Sequence, residues 1–229
     1  SARRHPGRLS LGDAVTGQEW TVREAAETVA RLARAFAEAG IGEGTHLAVI
    51  GANSPWHYIV HVAASWMRAV TVPFSPRMPA SALTSMCAQV GASWVFHDEV
   101  SSPTALALAS VGLHRASFGD LAAWVDRATP MRTAPARCGS ELAAVLFTSG
   151  STGTPRPVEL THEVMWWGST NFREGFDYAP TSSVVGVCAP VSHIGGFNGT
   201  SMDVWTRGGT LVTLGFPGSF DARGVLDAI

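Results

Sequence analysis

Apolar residues in this chain repeatedly switch between two spacings, and that alternation constrains its fold more than any other feature. Thr21-Val22-Arg23-Glu24 is a capping box, which starts a helix. Val22, Ala25, Val29, Leu32 and Phe36 follow at steps of three and four, and Gly40 supplies the stop. His46-Leu47-Ala48-Val49-Ile50 is then an unbroken run that reads as a buried strand. Ser54 and Pro55 suit the N-cap and first position of a second helix, which runs to about Arg68 and is apolar on most sides. The same reading predicts a strand over 70–74, a helix over 80–90 ended by Gly91, and a strand over 93–97. Later come strand 142–148, helix 162–175, strand 183–189, helix 197–206, strand 210–214 and a helix beginning at Asp221. Strand and helix alternate throughout, which predicts an α/β fold of layered, mainly parallel sheets flanked by helices. Thr129 to Gly139 holds two prolines, a glycine and two arginines in a weak pattern. It divides a first α/β subdomain, 1–128, from a second, 140–229.

Chemistry concentrates where the strand 142–148 ends. Thr148-Ser149-Gly150-Ser151-Thr152-Gly153 packs four hydroxyls and two glycines into six residues, and Thr154, Pro155 and Arg156 follow. Glycines let backbone approach a ligand closely, and successive amide N–H groups form an anion-binding nest. Hydroxyls donate to phosphate oxygens, and Arg156 adds a forked cation suited to phosphate. With the helix expected from His162, the strand, loop, cation and helix together form a cradle for phosphate at the C-terminal end of the strand. The loop is not a Walker A motif, which requires Lys before Ser/Thr, and the chain has no lysine. A Ser/Gly linker is the alternative, and linkers rarely sit directly behind a buried strand. The polar loop residues have no obvious packing partners, so mobility without nucleotide is expected.

In full order, Thr148 to Pro157 followed by Thr161-His162 resembles the phosphate-loop signature of the adenylate-forming superfamily. That superfamily comprises acyl-CoA synthetases, peptide-synthetase adenylation domains and luciferases. Its pattern is Thr-Ser-Gly-Ser/Thr-Thr-Gly-x-Pro-Lys-Gly, then Thr-His. Further segments match in the correct order: Glu19-Trp20-Thr21, Gly51 to Trp56, Val72-Pro73-Phe74-Ser75-Pro76, Ala189 to Phe197, and Gly208 to Val212. The resemblance implies activation of a carboxylic acid with ATP and Mg2+ to give acyl-AMP and pyrophosphate. The acyl group then passes to a thiol of CoA or a carrier protein. It implies that Thr148, Ser149, Gly150, Ser151, Thr152, Gly153 and Thr154 surround the β- and γ-phosphates while Arg156 reaches toward them. It also implies that His193, in the Pro-x-x-His-x-x-Gly segment, lies beside the acyl carboxylate; a histidine capping a turn is the alternative. Two positions depart from the pattern. Arg156 replaces Lys, keeping charge but changing geometry. Pro157 replaces Gly, removing one N–H and fixing φ.

Other residues read more simply. His57 and His61 lie one helical turn apart, but no third ligand is apparent and their helix reads as core. Trp166, Trp167 and the other tryptophans read as core or pocket walls, and Cys188 as a buried strand residue. Three cysteines without a CxxC fit neither a disulfide framework nor a zinc site, and fit a reducing cytoplasm. A net charge of −2 supplies no electrostatic case for nucleic acid or an anionic membrane, and no run is long enough for a membrane span. Ser1 starts the chain without an initiator Met or a signal-peptide core, as in a processed terminus.

The chain stops at Ile229 within an expected helix, and the resemblance reaches roughly the N-terminal half of a family member. The family's ribose contacts and its bridging lysine are missing from these residues. The expected partners are therefore a small carboxylic acid, a CoA or carrier-protein thiol, and a C-terminal half or partner chain. The Pro-x-x-His segment resembles acyl- or aryl-CoA ligases, while Ser151 is common in peptide-synthetase adenylation domains. A non-adenylating interaction module that needs a partner chain is the reading from a different class.

Overall fold

The computed structural model describes residues 5–133, 136, 138–148 and 155–215. Its strands are β1 (Leu9–Asp13), β2 (Glu19–Thr21), β3 (His46–Ile50), β4 (Val70–Phe74), β5 (Ala92–His97), β6 (His114–Ser117), β7 (Leu142–Thr148), β8 (Arg156–Thr161), β9 (Val184–Val187) and β10 (Thr210–Thr213). Its helices are α1 (Val22–Glu38), α2 (Pro55–Trp66), α3 (Ala80–Gln89), α4 (Ser102–Ala109), α5 (Phe118–Arg127), α6 (His162–Phe176), the short turn α7 (Ile194–Phe197) and α8 (Thr200–Thr206). These form two sheets, ordered β6-β5-β3-β4-β7-β8 and β2-β1-β10-β9. The first is parallel from β6 to β7, and β8 is antiparallel at its edge. In the second, β1, β10 and β9 are parallel and β2 is antiparallel. The layered, mainly parallel α/β fold expected from the sequence is the observed one.

Local chemistry accounts for the helix starts. The capping box at α1 is present in full: Thr21 accepts from the Glu24 N–H, and the Glu24 carboxylate accepts from the Thr21 N–H at 2.7 Å. Gly40, at φ +75°, takes the left-handed position after α1 that L side chains avoid. Ser54 caps α2, with Pro55 in its first turn.

Period-two alternation makes the central strands serve two cores. Leu47, Val49 and Phe96 join a cluster with residues of α1, α2 and α5 and with Leu11, Val187 and Leu211 of the other sheet. These helices therefore fill the space between the sheets. Ala48, Ile50 and Val95 point the opposite way, into a cluster with Leu83 and Met86 of α3 and Leu108 of α4. Burial on both faces explains why β3 reads as an unbroken apolar run.

Several expectations need correction. Between the Ser/Thr/Gly segment and the helix that begins at His162, an unexpected strand intervenes: β8 pairs back on β7 before α6 begins. The expected helix over 197–206 is divided into α7 and α8, and the backbone at Gly199 explains the break. A Cβ there would stand 2.8 Å from the Gly195 carbonyl. The sheets do not follow the division at 129–139. β1 and β2 pair with β10 and β9, while β7 and β8 extend the sheet of β3 to β6. Period alone missed β1, β2, α4, β6 and α5, although α5 has its own capping box, Ser117 with Asp120. The helix expected from Asp221 lies outside the described residues.

Candidate functional site

Both sheets present their C-terminal strand ends on one side. Asn53, just past β3, bonds the chain leaving β9, and its carbonyl lies against Gly215, just past β10. Ligands of open parallel sheets bind beyond such ends.

On this side, the end of β7 places the first two site residues. Leu146 belongs to a small cluster with Met165 of α6 and Phe197 of α7. Alternation puts Thr148 on the same face of β7 as Leu146, and Arg156 is its direct partner on β8. Directly opposed residues share a face. Thr148 and Arg156 therefore both stand on the face covered by α6 and α7, and both are exposed. Thr148 Oγ1 lies 3.5 Å from the Arg156 carbonyl. The cross-strand pairing brings the two ends of the 149–155 connection to within about 5.5 Å, Cα to Cα. Ser149, Gly150, Ser151, Thr152, Gly153 and Thr154, with the expected mobility of their loop, lie outside the described residues.

His193 arrives from the other sheet. It is exposed and forms the N-cap of α7, with Nδ1 accepting from the Gly195 N–H at 3.2 Å. A neutral ring that accepts at Nδ1 carries its proton on Nε2. His193 therefore caps a turn and keeps an N–H donor at Nε2 on an exposed ring. Its turn is held firmly. The Tyr58 hydroxyl donates to the Gly196 carbonyl at 2.6 Å, and Ser201 Oγ donates to it at 3.0 Å. A Cβ on Gly196 would stand 2.5 Å from the carbonyls of Ala189 and Pro190, so only glycine fits. Asn198 Nδ2 donates to the Met165 carbonyl at 2.9 Å and ties the turn to α6. Phe197, four residues after His193, shares the cluster of Leu146, two residues before Thr148. The histidine turn and the Thr148–Arg156 pair thus meet at one end of the fold.

The other sequence candidates are not part of this site. His57 and His61 are buried in the α2 core. His61 Nδ1 lies 2.7 Å from Thr71 Oγ1, and neither His57 nitrogen has a partner. Burial lowers His57 to about 4 and His61 to about 3. Among the described residues, no three His, Cys, Asp or Glu side chains come together as a metal site. Cys188 is exposed rather than buried, because β9 ends at Val187 and Cys188 begins the connection to α7. Trp166 and Trp167 are about half exposed on α6 rather than core; the Arg207 guanidinium covers part of Trp166, 4.2 Å from its ring centre.

One network escaped the sequence reading. The buried Asp203 carboxylate of α8 accepts from Arg207 at 2.6 Å, from Arg173 of α6 at 3.2 Å and from the Tyr178 hydroxyl at 3.1 Å. Burial first, then the Asp203 charge, pushes Tyr178 up to about 12. The network braces α6 against α8 behind the histidine turn. The i, i+4 spacing of Asp203 and Arg207 was its only signal in the sequence. No described helix is long and apolar enough to cross a membrane.

Known proteins align with this arrangement. A family model described as AMP-binding enzyme matches residues 1–229. A feruloyl-CoA synthase of Amycolatopsis sp is 30% identical over 213 residues, which is 93% of this chain and 42% of that protein. The nonribosomal peptide synthetase opaA of Aspergillus ustus is 29% identical over 167 residues, 71% of this chain and 4% of that protein. The inhibitor-bound crystal structure of the N-terminal domain of FACL13 from Mycobacterium tuberculosis superposes with a TM-score of 0.85 at 22% identity, over 99% of this chain and 57% of that one. The last likeness shows the fold. The chain spans less than half the length of the feruloyl-CoA synthase it matches.

Proposed function

This chain belongs to the AMP-binding enzyme family, and from that premise we propose that it supplies the phosphate-binding and acyl-side elements of an acid–thiol ligase of the acyl- or aryl-CoA synthetase type. The observation that carries the reading is the placement of Thr148 and Arg156 on the sheet face that also holds the His193 turn. An exposed hydroxyl and an exposed guanidinium at the base of a Ser/Thr/Gly loop fit the oxygens of a triphosphate.

The reaction is carboxylate attack on the α-phosphorus of ATP, with pyrophosphate leaving. Assistance comes mainly from positioning and from groups that stabilise charge on oxygen. Arg156 and the Thr148 hydroxyl bind the leaving phosphates, joined by the N–H groups and hydroxyls of 149–154. His193 directs its Nε2–H at the acyl carboxylate and orients it. Mg2+ bound with the nucleotide would supply further neutralisation of phosphate charge. The acyl group then leaves AMP for a CoA or carrier-protein thiol.

The feruloyl-CoA synthase relative puts hydroxycinnamic and related aromatic acids first among the acids to test. The peptide-synthetase relative supports a second reading, an adenylation domain that serves a carrier protein. An interaction module without adenylation is the remaining alternative. Acid-dependent ATP–pyrophosphate exchange separates them, assayed on these 229 residues and on any longer product of the same reading frame. Exchange from the longer product with aromatic or fatty acids supports the ligase, and exchange with amino acids supports the adenylation domain. The 229 residues alone are expected to give little exchange, because the family's bridging lysine is not among them. Robust exchange by them alone would contradict the role given to that lysine. ATP binding by neither product would sink the ligase reading.

A further inference from the structure

Between the end of β9 at Val187 and the start of α7 at Ile194, the chain leaves the sheet and must still deliver His193 to a fixed place. One side chain from the other sheet fastens this stretch. Asn53 Nδ2 donates to the Val187 carbonyl at 3.1 Å and to the Ala189 carbonyl at 2.8 Å, and Asn53 Oδ1 accepts from the Val191 N–H at 3.0 Å. Both amide hydrogens and the amide oxygen are therefore engaged, all by backbone, across residues 187–191. A primary amide is the group that fits, since two carbonyls require donors and one N–H requires an acceptor.

Asn53 is itself held in place. The Asp98 carboxylate, past the end of β5, accepts from the Ala52 N–H at 2.8 Å and from the Ser101 N–H at 2.8 Å. Gly51 lies so close that a Cβ would stand 3.1 Å from that carboxylate. At Gly215 a Cβ would stand 2.2 Å from the Asn53 carbonyl, so β10 also closes on this residue. Asn53 is thus a fixed post on the six-stranded sheet, and the stretch it grips belongs to the four-stranded one.

We propose that Asn53 is the positioning residue for His193: its carboxamide sets the path of 187–191 and thereby the orientation of the histidine ring at the C-terminal end of the two sheets. The proposal rests on the acyl-side role given to His193 for its catalytic meaning, but its geometry can be tested without turnover. Positioning of this kind matters because displacing a reacting group by about 1 Å can cost roughly a hundredfold in rate.

The test is the 15N–1H spectrum of the histidine rings in the 229-residue chain, with His193 assigned by its loss in His193→Gln. The wild-type ring is expected to show a single neutral tautomer, protonated at Nε2, with widely separated nitrogen shifts. Asn53→Asp keeps the size and the Val191 bond but turns an oxygen toward both carbonyls. Asn53→Ala removes all three bonds. Either variant should collapse the separation between the His193 nitrogens toward the average of the two tautomers. Should Asn53→Ala not fold, Asn53→Asp carries the same test. Leu108→Ala, which destabilises the core on the far side of the six-stranded sheet, should leave the His193 signature intact. A wild-type signature in Asn53→Asp, or an equal collapse in Leu108→Ala, would overturn the proposal. ATP binding at Arg156 reports on the ligase reading separately, so either can fail while the other stands.

Discussion

β4 and β8 lie in one sheet with only β7 between them, and they are built on opposite principles. All five residues of β4 are buried, and both faces are covered. Four of the six residues of β8 are exposed, and among the described strands only β7 pairs with it. β4 is Val-Thr-Val-Pro-Phe, whereas β8 is Arg-Pro-Val-Glu-Leu-Thr. The apolar strand holds the fold, and the polar edge strand carries Arg156, the cation proposed to meet phosphate. Pro157 fits this contrast, because proline within a sheet is confined to edges, strand starts and bulges, and it discourages further pairing there. The difference teaches that this sheet separates stability, in β4, from the proposed chemistry, two strands away in β8.

Substitutions can break or sharpen that contrast. The largest expected effect is on the interior. Phe74→Ala in β4 removes a fully buried ring that packs 5.6 Å from Phe147, and should cost about 3–5 kcal/mol in denaturant unfolding. A comparable loss from Val158→Ala in β8 would erase the contrast.

Acid should act on the opposite face of the same sheet, where α2 packs. His57 falls from 6.5 to about 4 and His61 from 6.5 to about 3 on folding. Below pH 6.5 the unfolded chain takes up protons that the folded chain refuses. Stability is therefore complete above about pH 6.5 and falls as pH drops toward 4, by on the order of a few kcal/mol. Unfolding curves taken from pH 7.5 to 4.5 check this, and His57→Phe should flatten the slope. An unchanged slope in that variant would assign the acid sensitivity elsewhere.

A smaller effect is expected at the junction. Tyr58→Phe removes one of two donors to the Gly196 carbonyl while Ser201 keeps the other, and should cost about 1 kcal/mol. At the polar edge, Arg156→Ala should change stability by less than about 0.5 kcal/mol, as surface substitutions usually do. A larger loss would show that Arg156 holds the hairpin together rather than serving a ligand.

What could be read from the sequence follows the same division. β3, β4, α1 and α2 were readable to within about two residues because burial on defined faces imposes a strict period on them. β1, β2 and β6 were not, being short strands that take their place from pairing with distant segments. β8 was missed because an exposed edge strand carries no apolar period, and its Arg-Pro start read as the exit of a loop. The order of Thr148, Arg156 and His193 in the chain pointed to the chemistry proposed for them. Their meeting on one face could not be read, because it depends on Phe197 packing with Leu146 and on Asn53 joining the two sheets. Cys188 and the pair Trp166–Trp167 were misplaced for a related reason: apolar character alone does not say where a strand ends or which helix face is covered.

The central claim is that the base of the β7–β8 hairpin binds the phosphates of ATP, and calorimetric titration of Mg-ATP into the wild-type chain and Arg156→Ala tests it most directly. Loss of a charge-assisted contact of about 1.5–3 kcal/mol should weaken binding roughly ten- to a hundredfold, with Arg156→Lys affected less. Equal affinity in wild type and Arg156→Ala, with both proteins folded, would contradict the account.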